Sequence, residues 1–392
     1  MTRYFVLFFV LIWCSTGYAV PRMALTAGTP CAACHTNLQG GGIRTEIGWG
    51  ASLYNGALTM EDMGMSDLEP ETNVIGAGIS AGVDIRFLSA RLGRPVADIS
   101  SGEVEAILPD RQFIPMQIQV HAAMDVTDWL TAYGSYNVDR STFEGEICDP
   151  TYQGQACAEA ALIFKPDSSL PSVRVGHIQP SIGVRHDDHT ILIRGDAARP
   201  RQPIIPPNYA ETGVELHYQP VYWMQANLGG FRSKNLSESI GDESVVGTND
   251  IAGLGRLAFY PRIDELTNLT SWVGASFYTA ADFYMLNNFI GVGWLDWGAL
   301  FIESAHSWRG GQDYETENFM VGLEVTPKEW LVVHGRAERA ITSTPTATKT
   351  DALVAGLKFY PVPFITLNPE YRIISTPEYT MGQITGQVHI FY

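Results

Sequence analysis

Basic side chains are scarce in this 392-residue chain, where 25 Lys and Arg stand against 42 Asp and Glu for a formal charge of −17. Such a surface repels a phosphate backbone, which excludes nucleic acid as a partner. Acidity favours cations such as metal ions, and it equally keeps a secreted protein soluble with hydrated loops, so charge alone names no substrate. Long apolar runs are missing too. The one uninterrupted run, Tyr4 to Cys14 in MTRYFVLFFVLIWCSTGYA, is short for a transmembrane helix. With Arg3 ahead of it and Gly17 and Ala19 behind, it reads as a secretory signal peptide over 1–19, cut after Ala19. Trp13 before Cys14 does not suit a lipoprotein signal, so Cys14 leaves with the peptide. Arg3 leaves as well, and 24 basic against 42 acidic residues give a mature chain of −18.

Cysteine is rare, with five in all. Once Cys14 is gone, two pairs remain. Cys148 and Cys157, in EGEICDPTYQGQACAEA, are predicted to close a loop as a disulfide in an oxidising compartment. Cys31 and Cys34 lie two residues apart in CAACH with His35 directly after. A zinc site there would need two more Cys or His ligands nearby, and none occurs before His121. The motif therefore reads as the attachment site of one covalent haem c. The two thiolates join the vinyl groups as thioethers, and His35 is placed as the proximal iron ligand.

The sixth iron ligand has several candidates. Met60, Met63 and Met65 follow in LTMEDMGMSD, and Met60 opposite His35 would raise the reduction potential. Methionine is also ordinary packing material, and a ligand from elsewhere in the fold or an open position remain alternatives. In GGGIR, Gly40 to Arg44, glycines let backbone approach a flat macrocycle and Arg44 can pair with a propionate; a flexible turn with a solvated arginine reads equally well. A second polar cluster holds His177, His186, Asp187, Asp188 and His189. It is either a metal or proton-relay site or a hydrogen-bonded loop. The PRQPIIPPNY stretch that follows is a stiff, irregular loop, a candidate to fold inward.

Beyond about residue 73 no long helical period occurs; apolar and polar residues alternate in short runs, the period of strands. Ile75, Ala77, Ile79, Ala81, Val83 and Ile85 oppose a face of small or charged residues. Ile118, Val120, Ala122 and Met124 likewise oppose Gln117, Gln119, His121 and Asp125. The chain ends on an alternating strand closing at Tyr392, which resembles the assembly signal of outer-membrane barrels. Tight turns carry aromatics: DVTDWL, YQPVYW, GWLDWG, VTPKEW and FYPVPF. Longer polar segments lie near 89–112, 141–157, 181–209, 233–249, 309–315 and 342–350. Short aromatic turns on one rim and long loops on the other predict an all-β fold, a transmembrane antiparallel β-barrel of about 16 strands.

The expected organisation is a signal peptide over 1–19, a haem segment over 20–72 and a barrel over 73–392. Some fifty residues are little material for an independent core, so the haem segment is expected to plug the lumen and borrow inward side chains. This order, a single CAACH directly ahead of a long alternating barrel, resembles the fused monohaem cytochrome c–porin family of outer membranes. The resemblance covers almost the whole mature chain and transfers only Cys31, Cys34 and His35. It implies an outer-membrane electron-transfer protein of a Gram-negative bacterium, surrounded by outer-membrane lipid. Its donor would be extracellular, a metal ion such as ferrous iron, with oxidase activity toward it. Its acceptor would be a periplasmic carrier such as a soluble cytochrome. CHTNLQGGGIR also resembles the haem segment of a wider set of outer-membrane cytochromes with other donors. The alternative, from a different class, is a haem-containing diffusion porin or haem-based sensor; a peroxidase-like enzyme would need an open iron position.

Overall fold

The computed structural model describes residues 25, 31–37, 40, 42–45, 47–48, 56–59 and 61–64 of the N-terminal segment. Beyond it, 74–392 are described except 77, 93, 98–103, 108–110, 138–157, 168–169, 187–190, 198, 207–208, 222, 265–267 and 296. The expected signal peptide, Met60, Met65, the Cys148–Cys157 disulfide and the Asp187, Asp188 and His189 part of the polar cluster lie outside the described residues.

Alternating sequence becomes long antiparallel strands. In chain order they are β1 (Ile79–Leu92), β2 (Arg111–Thr127), β3 (Leu130–Asn137), β4 (Ala158–Phe164), β5 (Ser172–Ile178), β6 (Glu211–Val221), β7 (Met224–Arg232) and β8 (Ile251–Phe259). The second half comprises β9 (Leu269–Ala280), β10 (Phe283–Trp294), β11 (Gly298–Arg309), β12 (Glu315–Lys328), β13 (Leu331–Thr344), β14 (Thr346–Val362), β15 (Ile365–Ser375) and β16 (Thr380–Phe391). Each pairs with its neighbour, and β16 pairs back onto β1 from Asp84↔Phe391 to Leu92↔Gln383, so the sheet closes at 16 strands. Closure removes both edges, so each strand has a partner on either side within the sheet. Reciprocal bonds between Val83 and Tyr392 extend the seam to the last residue.

The two faces of the wall differ as the alternation predicts. Val120, Leu228, Val273, Ile290, Leu323 and Leu353 are exposed on the outside, while His121, Asn227, Asn287, Glu303 and Glu338 are buried in the lumen. An apolar exterior around a polar interior suits lipid, not water. The turns at the short-turn rim carry stacked aromatics: Trp129 on Phe164 at 6.2 Å, Trp223 on Phe259 at 6.3 Å and Trp294 on Trp297 at 5.5 Å. Tyr284 and Trp308 stack at 5.3 Å near the other rim. These are the two girdles of a membrane-spanning barrel.

Three sequence expectations change. The segment near 89–112 is partly strand, since β1 runs to Leu92, β2 starts at Arg111, and Arg94–Ala97 pairs with Val104–Ile107 between them. The run 73–86 is not one strand: Val74–Gly76 folds back antiparallel onto the start of β1, with Gly76 opposite Ile79. The segment near 342–350 is no loop, because β13 and β14 pair to Thr344↔Thr346 around Pro345 alone. Its polar Thr, Ser and Lys residues lie on strands that run on past the apolar band. By contrast, the 233–249 loop contains a short helix, α2 (Lys234–Ile240), which ends at Gly241; the CAACH turn is α1 (Cys31–Cys34).

Candidate functional site

The CAACH segment folds on itself and is held inside the lumen. The four residues of α1 make one helical turn, and the His35 N–H donates to the Cys31 carbonyl at 3.0 Å. The chain then reverses: Thr36 N–H bonds the Ile43 carbonyl at 2.9 Å, and Thr45 N–H bonds the Cys34 carbonyl at 3.0 Å. Glycine makes this reversal possible. A β-carbon at Gly40 would sit 3.3 Å from Cys31 Cβ, and one at Gly42 would sit 2.6 Å from the Tyr133 hydroxyl.

Contacts reach this segment from all round the wall. From β5, Arg174 donates to Asn37 Oδ1 at 2.9 Å. Gly42 packs on His121 of β2 and Tyr133 of β3, which are themselves 3.3 Å apart. Ile43 lies against Gly82 of β1, and the Arg44 guanidinium sits 5.0 Å over the Phe391 ring of β16. Arg44 is therefore stacked on the wall, not a solvated turn residue. Across the lumen, the Leu25 carbonyl accepts from Thr270 of β9, and its side chain meets Gly291 of β10. Leu25 joins an apolar shelf of Tyr260, Trp272, Phe289 and Phe301. Arg256 lies over both Trp272 and Phe289, within electrostatic reach of Cys31.

The expectation that PRQPIIPPNY turns inward is met, but the stretch is not wholly irregular, since Arg199–Pro203 pairs antiparallel with Gly195–Asp196. Of the loop after β5, the described residues between Gln179 and Ala210 enter the barrel, and Ile182, Val184, Ile193, Ile205 and Tyr209 are buried. Its polar backbone is answered by wall side chains. Asn318 donates to the Ile193 and Gly195 carbonyls, Ala197 N–H donates to Thr342 Oγ1, and Leu192 N–H donates to Glu338. Arg174 also holds the start of this loop through Gln179 O and the Glu215 carboxylate, the latter at 3.0 Å. Loop and haem segment meet directly, for Arg185 donates to the Gly40 carbonyl at 2.8 Å.

Of the polar cluster, His177 lies at the end of β5, hydrogen-bonded to Thr212 at 3.3 Å. His186 lies in the lumen, 2.6 Å from the Glu303 carboxylate of β11. The two are separate sites. Residues 57–58 bond the carbonyls of Tyr360 and Pro361 at the short-turn rim, and the Met63 N–H bonds the Thr59 carbonyl. Glu303, Asn287, Arg174 and Glu215 carry no sequence motif; alternation marks them as inward, and only the register shows which of them converge.

The donor set suits the group that CAACH implies. Cys31 and Cys34 lie on one turn and are not joined as a disulfide, with an imidazole on the next residue. That is the arrangement two thioethers and an axial nitrogen require. Cys31, Cys34 and His35 would hold haem c.

No family model matches the chain, and no curated protein matches it. Solved structures do. OprB of Pseudomonas putida is 11% identical, with a TM-score of 0.56 over 87% of this chain and 99% of that one. The outer-membrane channel DcaP of Acinetobacter baumannii is 11% identical, with a TM-score of 0.54 over 80% and 97%. A loop-deletion mutant of OmpT, an outer-membrane protein of Vibrio cholerae, is 9% identical, with a TM-score of 0.52 over 80% and 99%. The fold is thus that of outer-membrane porins, and the protein is an integral barrel of that membrane.

Proposed function

We propose that this barrel is a monohaem c-type cytochrome of the outer membrane, moving single electrons between an extracellular donor, such as ferrous iron, and a periplasmic carrier. The observation that carries the reading is the position of the half-buried CAACH turn inside the lumen, tied to the wall through Asn37, Gly42 and Arg44 and to the inserted loop through Gly40. When bound, haem c supplies one-electron redox chemistry at its iron. The chain does the rest. Cys31 and Cys34 would hold the group covalently, and His35 would supply a nitrogen ligand to its iron. The wall holds the turn within a bilayer core about 30 Å thick, which shortens the insulating distance on both sides. Arg174 and Arg185 orient the segment by hydrogen bonds, and the 179–210 loop excludes water from it.

The test is an anaerobic stopped-flow spectrum of the oxidised, folded protein in detergent, mixed with ferrous iron. Rapid growth of reduced c-haem bands, absent in Cys34→Ala and His35→Ala, supports the reading. Reduction by dithionite but not by ferrous iron would keep the cytochrome and discard iron as donor. A protein carrying no covalent haem would overturn it.

A second reading is a diffusion channel, favoured by the fold's likeness to porins and channels. Two inserted segments in the lumen weigh against it, and solute passage decides between the two.

A further inference from the structure

We propose that Glu303, His186 and Asn287 form a binding site for a divalent first-row metal cation in the lumen wall, one residue in sequence from the contact with the haem segment. The site is argued from the wall alone; only its part in electron transfer rests on the reading above.

Three neighbouring strands place the groups. Ser276 of β9 pairs with Asn287 of β10, and Glu303 of β11 lies diagonally beside Asn287, whose direct partner is Ala305. All three side chains point inward. Glu303 and Asn287 are both fully buried, at 0% exposure. The inserted loop closes over them. Gly183 N–H donates to Ser276 Oγ at 2.7 Å, and Val184 N–H reaches Glu303 Oε1 at 3.3 Å. A β-carbon on Gly183 would fall 2.6 Å from Glu303 Oε1 and 3.2 Å from Asn287 Cγ, so carboxylate and amide face the same small space. The third group is His186, whose Nε2 lies 2.6 Å from Glu303 Oε2.

Asn287 is the observation that points to a ligand. Neither its Oδ1 nor its Nδ2 has a hydrogen-bond partner among the described residues, although the side chain is wholly buried. An amide desolvated without a partner is costly, and such a group in a folded protein calls for a partner such as a bound ion. A carboxylate oxygen, an imidazole nitrogen and an amide oxygen are a mixed oxygen and nitrogen set suited to Mn²⁺, Fe²⁺ or Zn²⁺. Metal–ligand bonds of about 2.0–2.2 Å put neighbouring donors roughly 3 Å apart, so a cation would need only a small opening of the His186–Glu303 pair. His186 would then bind through Nε2 with its proton on Nδ1. Arg194 also lies within electrostatic reach of Glu303, and its Nη2 donates to the carbonyls of Ile182 and Val184. It braces the loop and leaves the carboxylate's second oxygen to His186. The neighbouring Arg185 binds Gly40, which packs on Cys31 and His35.

A second group, His306, Glu315 and Glu317, lies on the outer wall near the long-loop rim and serves as the control. Full-length protein in detergent is titrated with Mn²⁺ alone, and bound metal is read from loss of the free-ion electron paramagnetic resonance signal. The expected result is saturable binding that weakens at least tenfold in Glu303→Gln and in His186→Ala but not in Glu317→Gln. Heat-modifiable gel migration checks that each barrel is folded, and His186→Ala, a loop substitution, stands in if Glu303→Gln does not fold. Binding unchanged in both lumen variants, absent in the wild type, or lost only in Glu317→Gln overturns the site. Cys34→Ala should bind Mn²⁺ as the wild type does. If it does while the wild type carries no covalent haem, the site stands and the electron-transfer reading falls.

Discussion

Gly183 shows how much one residue of the inserted loop has to satisfy. Its φ of 54° is left-handed, and the space beside its α-carbon is already taken by Glu303 and Asn287. A side chain there meets both a conformational penalty of about 1–2 kcal/mol and a collision with a buried carboxylate. Gly183→Ala is therefore expected to lift the 181–186 stretch off the wall, breaking the Ser276 and Glu303 bonds, and to lower thermal stability by about 1–3 kcal/mol. Calorimetry on the detergent-solubilised barrel measures it, and an unchanged melting temperature would show that the loop does not sit as described. At this scale the sequence was legible only where chemistry requires fixed spacing. CAACH announces itself because two thiols and an imidazole must share one turn. Glu303 and Asn287 do not, since their partners are set by a register that joins positions sixteen residues apart on different strands.

Elements were easier to read than residues, because alternation with aromatic turns reports each strand and its rim directly. The failures came where polarity was taken for looseness. The Thr- and Lys-rich stretch around Pro345 is strand on both sides, since strands of 14 and 17 residues extend above the apolar band, where outward polar side chains cost nothing. The loop holding α2 is genuinely structured, and one carboxylate does much of it. Asp242 accepts from the Ser244 hydroxyl at 2.6 Å and its N–H at 3.0 Å, and from Gln312 of the next-but-one loop at 2.9 Å. The Ser244 hydroxyl, then Gln312, favour the charged form and bring its pKa from 3.8 down to about 2. A carboxylate depressed in the folded state supports the loop at pH above its ordinary value and loses that support as pH falls through about 2. Between pH 4 and 2 the tie between the two loops should loosen, seen as faster cleavage of the 241–250 stretch by pepsin. Asp242→Asn should be cleaved at the fast rate throughout that range; equal, pH-independent cleavage of both proteins would count against the tie.

At the scale of the whole molecule, the closed wall and its filling make opposite demands. Sixteen strands enclose a lumen wide enough for an aqueous channel, yet two segments enter it. One is the CAACH turn, which reaches the Leu25 shelf on one wall and Phe391 on another; the other is the 179–210 loop, braced against β11 to β14. They meet at Arg185 and Gly40, so neither leaves the other's area open. On the proposed electron-transfer reading, the two segments together hold a redox group in the membrane without leaking solutes. Liposomes carrying the intact protein should therefore not swell in arabinose beyond the rate of protein-free vesicles. Removing 20–72 takes out only one of the two segments, so that variant should admit arabinose while still excluding a trisaccharide such as raffinose. If the intact protein swells at the rate of an open porin, the lumen is a solute path, and the channel reading displaces the electron-transfer one.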